Sequence, residues 1–306
     1  MIPANARAAL QALLEDRVVF DVPMARQTSL RVGGPADALA TPQDRSELVA
    51  LLKLCHEYAV PRTLLGAGFN MLVREDGLDG VVISTKKLRF MEARPGPTIF
   101  AETGVSHASM TRFCSEKGFA GLEFGAGIPG TVGGWIAMNA GIGVREQKDV
   151  IQEVEILSQD GSEIRVVENQ ELGFSYRHCA RLEHGDIVIS ALFQVNLSRP
   201  EDVKAEVDRL LSRRQASQPL NAPSCGSVFR NPAGDFAGRL IEQAGLGGER
   251  AGGAEISDLH ANFIVNRGGA TADDVLSLID FARNRVFEAS GIELETEVRI
   301  LGRTSA

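Results

Sequence analysis

No apolar run in the 306 residues approaches the roughly 20 that a membrane-spanning helix needs, which argues against a helical membrane protein. Positive charge is short as well: 32 Lys and Arg stand against 40 Asp and Glu, a net charge of −8. Phosphate backbones are bound through basic faces, so this balance weighs against a general nucleic-acid role, and any anionic ligand must be held by local groups. Cysteine is sparse and scattered. Cys55, Cys114, Cys179 and Cys225 lack the paired spacing of a zinc site or a disulfide framework, which leaves no metal centre to expect and suits a reducing compartment. A Walker motif, a GxSxG nucleophile elbow, internal repeats and low-complexity stretches are all missing.

What is present reads as an ordinary soluble globular chain, 44% hydrophobic and 24% charged, long enough for two or three domains. The first segment carries Glu15 and Asp16 within its apolar periodicity and reads as an amphipathic helix rather than a signal peptide, so the protein is expected in the cytoplasm. Residues 30–85 alternate short β-like runs with a helical stretch: Asp37 to Ala40, SELVALLKLCHEYAV, Arg62 to Leu65, then Val81 to Ile83. A mixed block follows, with a strand at Ile99 to Glu102, a helix capped by Ser106 and ending near Gly118, and strands at Val154 to Leu157, Glu163 to Val167 and Ile187 to Val195. Asp160-Gly161 makes the hairpin turn between the first pair of these. Ser198, with Pro200, Glu201 and Asp202, marks the start of a helix running to about Gln218. A helix at Phe236 to Ala244, a strand at Phe263 to Val265, a helix from Thr271 to Ser290 stopped by Gly291 and a strand at Val298 to Leu301 complete the chain.

Three glycine-rich loops punctuate this pattern: Arg31 to Asp37 with Gly33 and Gly34, Gly66 to Asn70, and Gly127 to Gly134 continuing into Met138-Asn139-Ala140-Gly141. Gly125, Gly127 and Gly130 form a formal GxGxxG, with Asp149 downstream where a dinucleotide fingerprint wants an acid. That fingerprint must open a helix directly after a strand, and Pro129 with the Gly133-Gly134 pair makes a poor helix start. A long irregular loop whose backbone N–H groups form a concave anion site fits better. One extended cofactor held by several such loops is the reading favoured here, against three unrelated turns.

PSCGSVFRNP (Pro223 to Pro232) groups hydroxyls, a thiol, an arginine and an amide, and invites a nucleophilic reading. No ordered triad accompanies it. Arg213 and Arg214 read as solvated helix surface, and Arg177 as an arginine closing a hairpin.

Taken together, TSLRVGGPAD (28–37), GLEFGAGIPGTVGGWIAMNAG (121–141), LGFSYR (172–177), PSCGSVFRNP (223–232), LIEQAGL (240–246), HANFIVN (260–266) and LETEVRILG (294–302) resemble, in order and over nearly the whole chain, the UDP-N-acetylenolpyruvoylglucosamine reductase family of cell-wall precursor synthesis. The resemblance is to the shorter form, without a tyrosine-bearing insertion. It implies an α+β fold: a two-part FAD-binding region of the vanillyl-alcohol-oxidase (PCMH-like) type, residues 1–86 and 87–199, and a C-terminal α+β substrate-binding domain, residues 200–306. It also implies NADPH as co-substrate, UDP-N-acetylglucosamine enolpyruvate as substrate, and a monomer or weak dimer.

By the same resemblance the flavin contacts are Arg31, Gly33, Gly34, Gly66, Ala67, Gly68, Phe69, Asn70, Met71, Gly127, Ile128, Gly130, Thr131, Gly133, Gly134, Asn139, Ala140 and Gly141. Arg177 matches the group that polarises the substrate carboxylate, Ser227 the proton donor, and Glu297 a second charged group, protonated through burial or compensated by Arg177. Arg214, Arg230, Asn231 and Gln243 are weaker candidates for the uridine diphosphate. Cys225 and His260 are expected to shape the fold rather than react. Phe69 stands where the family commonly has serine, and Gly141 to Arg145 lacks the family's glycine-rich continuation, so contacts there fall to the backbone. The alternatives are another FAD-dependent oxidase or dehydrogenase on the same fold, or a non-catalytic flavin- or nucleotide-binding module.

Overall fold

Asp44 accepts a hydrogen bond from the Glu47 N–H at 2.9 Å and so starts the helix Arg45–Glu57 in the computed structural model of the chain, which describes residues 1–304. Leu48, Leu51 and Leu52 on its inner face are wholly buried and pack with Leu10 and Leu14 of the amphipathic helix Ala4–Leu14. Beneath them the strand Arg62–Leu65 runs parallel to Leu78–Ser84, as a βαβ rhythm requires.

A second core in the same unit lies against a five-stranded antiparallel sheet, ordered Ile164–Glu168, Ile151–Leu157, Ile187–Gln194, Thr98–Glu102, Met91–Arg94. Ile187 and Ile189 belong to the first core while Val188, Ala191 and Phe193 belong to the second, so one strand joins the two lobes. The hairpin turn falls at Asp160-Gly161, with Gly161 at φ +73° and the Asp160 carboxylate accepting from Ser158 and Ser162. Ser106 caps His107–Lys117, which ends on Gly118 in a left-handed conformation.

Two local expectations change. The helix after residue 197 begins at Pro200 rather than Ser198: the Ser198 N–H is held by the Gly118 carbonyl, and proline fits the first helical position because it lacks an N–H to leave unpaired. The loop expected through Gly134 is interrupted by a six-residue helix, Val132–Ala137, that takes in Gly133 and Gly134. Its entry is strapped to residues 103–106, the Val132 N–H donating to Val105 and the Gly133 N–H to Thr103. A Cβ at Gly133 would stand 2.1 Å from the Thr103 hydroxyl, so glycine is what permits the approach. No strand runs directly into this helix, and the dinucleotide fingerprint is not realised.

The chain divides into two units whose segments interleave. Met1–Phe20, Ala38–Ala67 and Gly80–Arg214 make one; Asp21–Asp37, Gly68–Asp79 and the residues from Gln215 onward make the other. In the second unit a four-stranded antiparallel sheet is ordered Ser224–Ser227, Phe263–Asn266, Ala254–Ile256, Arg250–Ala251. The helix Ala272–Ser290 covers it, opened by a Thr271/Asp274 capping box and stopped by Gly291. Leu30, Val32 and Leu72 share its core with Phe229, Ile264, Val275, Leu278 and Val298. Met71–Val73 runs parallel to Arg299–Leu301, and Arg303 pairs with Asp37 at 2.7 Å and Asp79 at 2.8 Å. These pairings draw residues 21–37 and 68–79, expected with the N-terminal subdomain, into the unit of the last third. No helix among the described residues is long and apolar enough to cross a membrane.

Candidate active site

In the first unit the glycine loops at 66–67 and 125–134 meet. A Cβ at Gly66 would lie 2.6 Å from the Thr131 hydroxyl, so the hydroxyl faces bare backbone. Thr131 is buried, and its Oγ1 has no hydrogen-bond partner among the described residues. A buried unpaired hydroxyl costs about 1–3 kcal/mol, which a ligand group placed there removes. Gly33 and Gly34 owe their identity to something else: a Cβ at Gly34 would sit 1.8 Å from the Glu75 carbonyl oxygen, within the second unit's own backbone packing.

Arg177 occupies the second position of the two-residue turn that joins Phe174–Ser175 to His178–Cys179, at φ +57°. A non-glycine residue held there is strained by roughly 1–3 kcal/mol, a cost that recurs at functional sites. Its guanidinium lies over the Tyr176 ring at 4.9 Å and donates to the Gly141 carbonyl at 3.4 Å. The hairpin-closing arginine thus reaches the Met138–Gly141 segment. Asn139, left-handed at φ +40° and wholly buried, spends its amide on Glu146, the Ser175 carbonyl and the Lys148 N–H.

In the second unit Ser227 ends a strand that is irregular by one residue: Ser224 faces Val265 and Ser227 faces Phe263, with Gly226 between them at φ +80°. Such a bulge re-aims the side chain after it. The neighbouring Val228 carbonyl accepts from the Glu297 N–H at 2.8 Å, and the Glu297 carbonyl accepts from the Asn70 amide at 3.2 Å. Ser227 and Glu297 are therefore brought onto adjoining backbone. Cys225 is buried, and burial with the nearby Glu297 charge pushes its thiol up to about 12, so it carries no thiolate at neutral pH.

Of the weaker candidates, Arg230 pairs with Glu295 at 3.8 Å, and the Asn231 side chain accepts from the Ala237 N–H at the start of Ala237–Gln243, which Gln243 closes. Arg213 is exposed. Arg214 is half-buried beside Gly127 in the first unit, and burial lowers its pKa to about 10. His260 accepts from the Asn262 N–H and packs edge-on to Phe263, in a structural role.

Residues 218–301 match the C-terminal domain model of UDP-N-acetylenolpyruvoylglucosamine reductase, and residues 36–166 match an FAD binding domain. Curated reductases of that name from Anaeromyxobacter sp. (strain Fw109-5) and Geobacter metallireducens are 46% and 44% identical, covering 99% and 96% of this chain and 94% and 97% of theirs. The chain belongs to the UDP-N-acetylenolpyruvoylglucosamine reductase family. The solved reductase of Thermus caldophilus superposes with a TM-score of 0.79 at 34% identity, over 92% of this chain and 97% of that one. An alkyldihydroxyacetonephosphate synthase, 18% identical over 64% of this chain and 40% of its own with a TM-score of 0.50, shares the fold alone. The α+β architecture of an FAD-binding region and a reductase C-terminal domain is thereby established.

FAD suits the residues present: where the Gly66 and Gly127 to Gly134 loops meet, the buried Thr131 hydroxyl lacks a partner among the described residues, and the missing side chain of Gly66 leaves it uncovered. His107 is a group the sequence did not single out, being one histidine in a first helical turn. It is buried against Trp135 with neither ring nitrogen bonded among the described residues, and burial and the Arg214 charge hold its pKa well below 6.5. The folded chain refuses a proton that the unfolded chain accepts as pH falls through 6.5, so stability is complete above that pH and declines below it. His107→Gln is expected to flatten the loss between about pH 7.5 and about pH 5.5, read as denaturation midpoints. An unchanged slope would assign the loss elsewhere, His260 being shifted in the same direction.

Proposed function

We propose that this chain reduces UDP-N-acetylglucosamine enolpyruvate to UDP-N-acetylmuramate with NADPH, through FAD, in peptidoglycan precursor synthesis in the cytoplasm. The observation that carries the reading is the bulged strand that sets Ser227 beside Glu297, within residues matching the family's C-terminal domain. In this reading residues 1–86 and 87–199 hold the flavin and 200–306 the sugar nucleotide, with Leu30, Val32 and Leu72 serving the core of the latter. In this reading the chain works as a monomer or weak dimer.

Bound FAD would supply two-electron hydride transfer from NADPH to the enolpyruvyl double bond. Thr131 and the backbone of the Gly66, Gly127 to Gly134 and Met138 to Gly141 segments would hold it, with the loops at Arg31 to Gly34 and Gly68 to Met71; the Asn139 side chain takes no part, its amide being bonded to Glu146, Ser175 and Lys148. Arg177 binds the substrate carboxylate, where negative charge grows as hydride reaches the double bond; its planar guanidinium meets both oxygens. Ser227 delivers its hydroxyl proton to the carbon left as a carbanion, and Glu297 assists that protonation. The products balance: NADPH and one proton are consumed for each carbon–carbon double bond reduced. Arg214, Arg230, Asn231 and Gln243 contribute to the uridine diphosphate site.

The test is anaerobic. The purified yellow protein should be bleached by NADPH alone, and enolpyruvyl sugar nucleotide should restore the colour with one UDP-N-acetylmuramate formed per flavin. Colour that returns only with oxygen, after oxidation of an alcohol or hydroxy acid, would favour the oxidase alternative.

A further inference from the structure

Asn139 stands on the flavin loop, yet its amide is not available to a cofactor. Both Nδ2 hydrogens are committed, to Glu146 Oε2 at 2.9 Å and to the Ser175 carbonyl at 3.0 Å, and Oδ1 accepts from the Lys148 N–H at 3.0 Å. Three segments therefore meet on one fully buried side chain: the loop that follows Val132–Ala137, the turn Gln147–Asp149, and the hairpin whose tip is Tyr176-Arg177. Ser175 is two residues from Arg177, in the strand that leads into the strained turn. A further tie between hairpin and loop is the long Arg177-to-Gly141 contact at 3.4 Å, weaker than those of Asn139. A two-stranded ribbon of two residues per strand has no stability of its own. Its base is held by Phe174 and Cys179, which pack into the second core, and its tip by the bonds to Asn139 and Gly141.

We propose that Asn139 is a positioning residue for Arg177, locking the hairpin that carries the guanidinium onto the flavin-side loop so that the carboxylate of the substrate is presented at a fixed distance from that loop. This rests on the reading of Arg177 given above. Asn139 touches neither reacting atoms nor, through its side chain, the flavin; it acts through the Ser175 carbonyl. The left-handed backbone at position 139 is satisfied by glycine as well as by asparagine, so Asn139→Gly removes the amide with little backbone strain. A displacement of about 1 Å at the reacting geometry is enough to cost roughly a hundredfold.

The experiment uses the flavin-loaded enzyme and follows the two half-reactions separately. For Asn139→Gly we expect flavin content and the rate of reduction by NADPH to stay within about threefold of the wild type, while reoxidation by enolpyruvyl sugar nucleotide slows about 10- to 100-fold. Adding Arg177→Lys to Asn139→Gly should cost less than about threefold beyond Arg177→Lys alone, because both changes act through one guanidinium. Equal slowing of both half-reactions, loss of flavin, or full additivity with Arg177→Lys would overturn the proposal, since each describes a residue that supports the loop in general. If Asn139→Gly does not fold, Glu146→Ala removes one of its two acceptors, and the same split, smaller in size, is expected; its absence counts against the proposal equally. Arg177→Lys that reoxidises at the wild-type rate would sink the assignment of Arg177 and the proposal with it. An impaired Arg177→Lys beside an unimpaired Asn139→Gly sinks the proposal alone.

Discussion

Ser227→Ala is expected to leave NADPH bleaching of the flavin within about twofold of the wild type and to slow reoxidation by the enolpyruvyl substrate about 10²- to 10⁴-fold, the range that a positioned proton donor contributes. The asymmetry is the point. Reduction by NADPH requires no proton from Ser227, whereas the second half-reaction leaves a carbanion that must be quenched. Removal of one hydroxyl from a half-exposed strand end should also leave the fold intact, since the strand is held by backbone bonds through Ser224, Val228 and Glu297. A variant that loses both half-reactions alike would show that Ser227 serves binding or structure, and the proton would then have to come from Glu297 or water. Cys225 is no substitute, because its thiol is pushed up to about 12 and lies buried in the core.

Gly66→Ala should have the second large effect, on the cofactor itself. The new methyl would stand 2.6 Å from Thr131 Oγ1, close enough that the hydroxyl must turn away. Overpacking of this kind costs about 1–3 kcal/mol, and each 1.4 kcal/mol withdrawn from binding weakens affinity about tenfold. The dissociation constant for FAD, measured by fluorescence quenching, should rise about 5- to 150-fold. Thr131→Ala in the same chain relieves the contact, and the thermal midpoint should recover while affinity does not. Full recovery of affinity in the double variant would mean that crowding alone was responsible and that the threonine hydroxyl is no flavin ligand.

Much of this was legible in the chain. Helices with strong periodicity could be placed closely, because their signals are local: Ala272–Ser290 lies within a residue of the expected Thr271 to Ser290, and Arg45–Glu57 starts one residue before and ends three residues short of the expected stretch 46–60. The residues proposed for the reaction centre emerged only from the joint pattern of family segments, since Arg177 by itself reads as a turn arginine and Ser227 as a strand serine. Other features left no local trace. The pairing of Met71–Val73 with Arg299–Leu301 joins segments more than two hundred residues apart, which no window of periodicity spans. The glycines were ambiguous for a physical reason: a missing Cβ serves equally a ligand or another stretch of backbone. At Gly34 another stretch of backbone, at Glu75, already requires the missing Cβ, and Gly133 allowed a helix to form against Thr103 where a loop was expected. His107 was silent because burial, not residue type, makes it unusual.

The interleaving of the two units governs how the protein can be made. Residues 21–37 and 68–79 leave the ribosome more than two hundred residues before partners such as Arg299–Leu301 and Arg303. Leu30, Val32 and Leu72 must therefore wait for core partners such as Phe229, Val275 and Val298, and pairings of such long sequence separation form slowly. During that interval the strand Met71–Val73 offers an unpaired edge of the sort that invites aggregation.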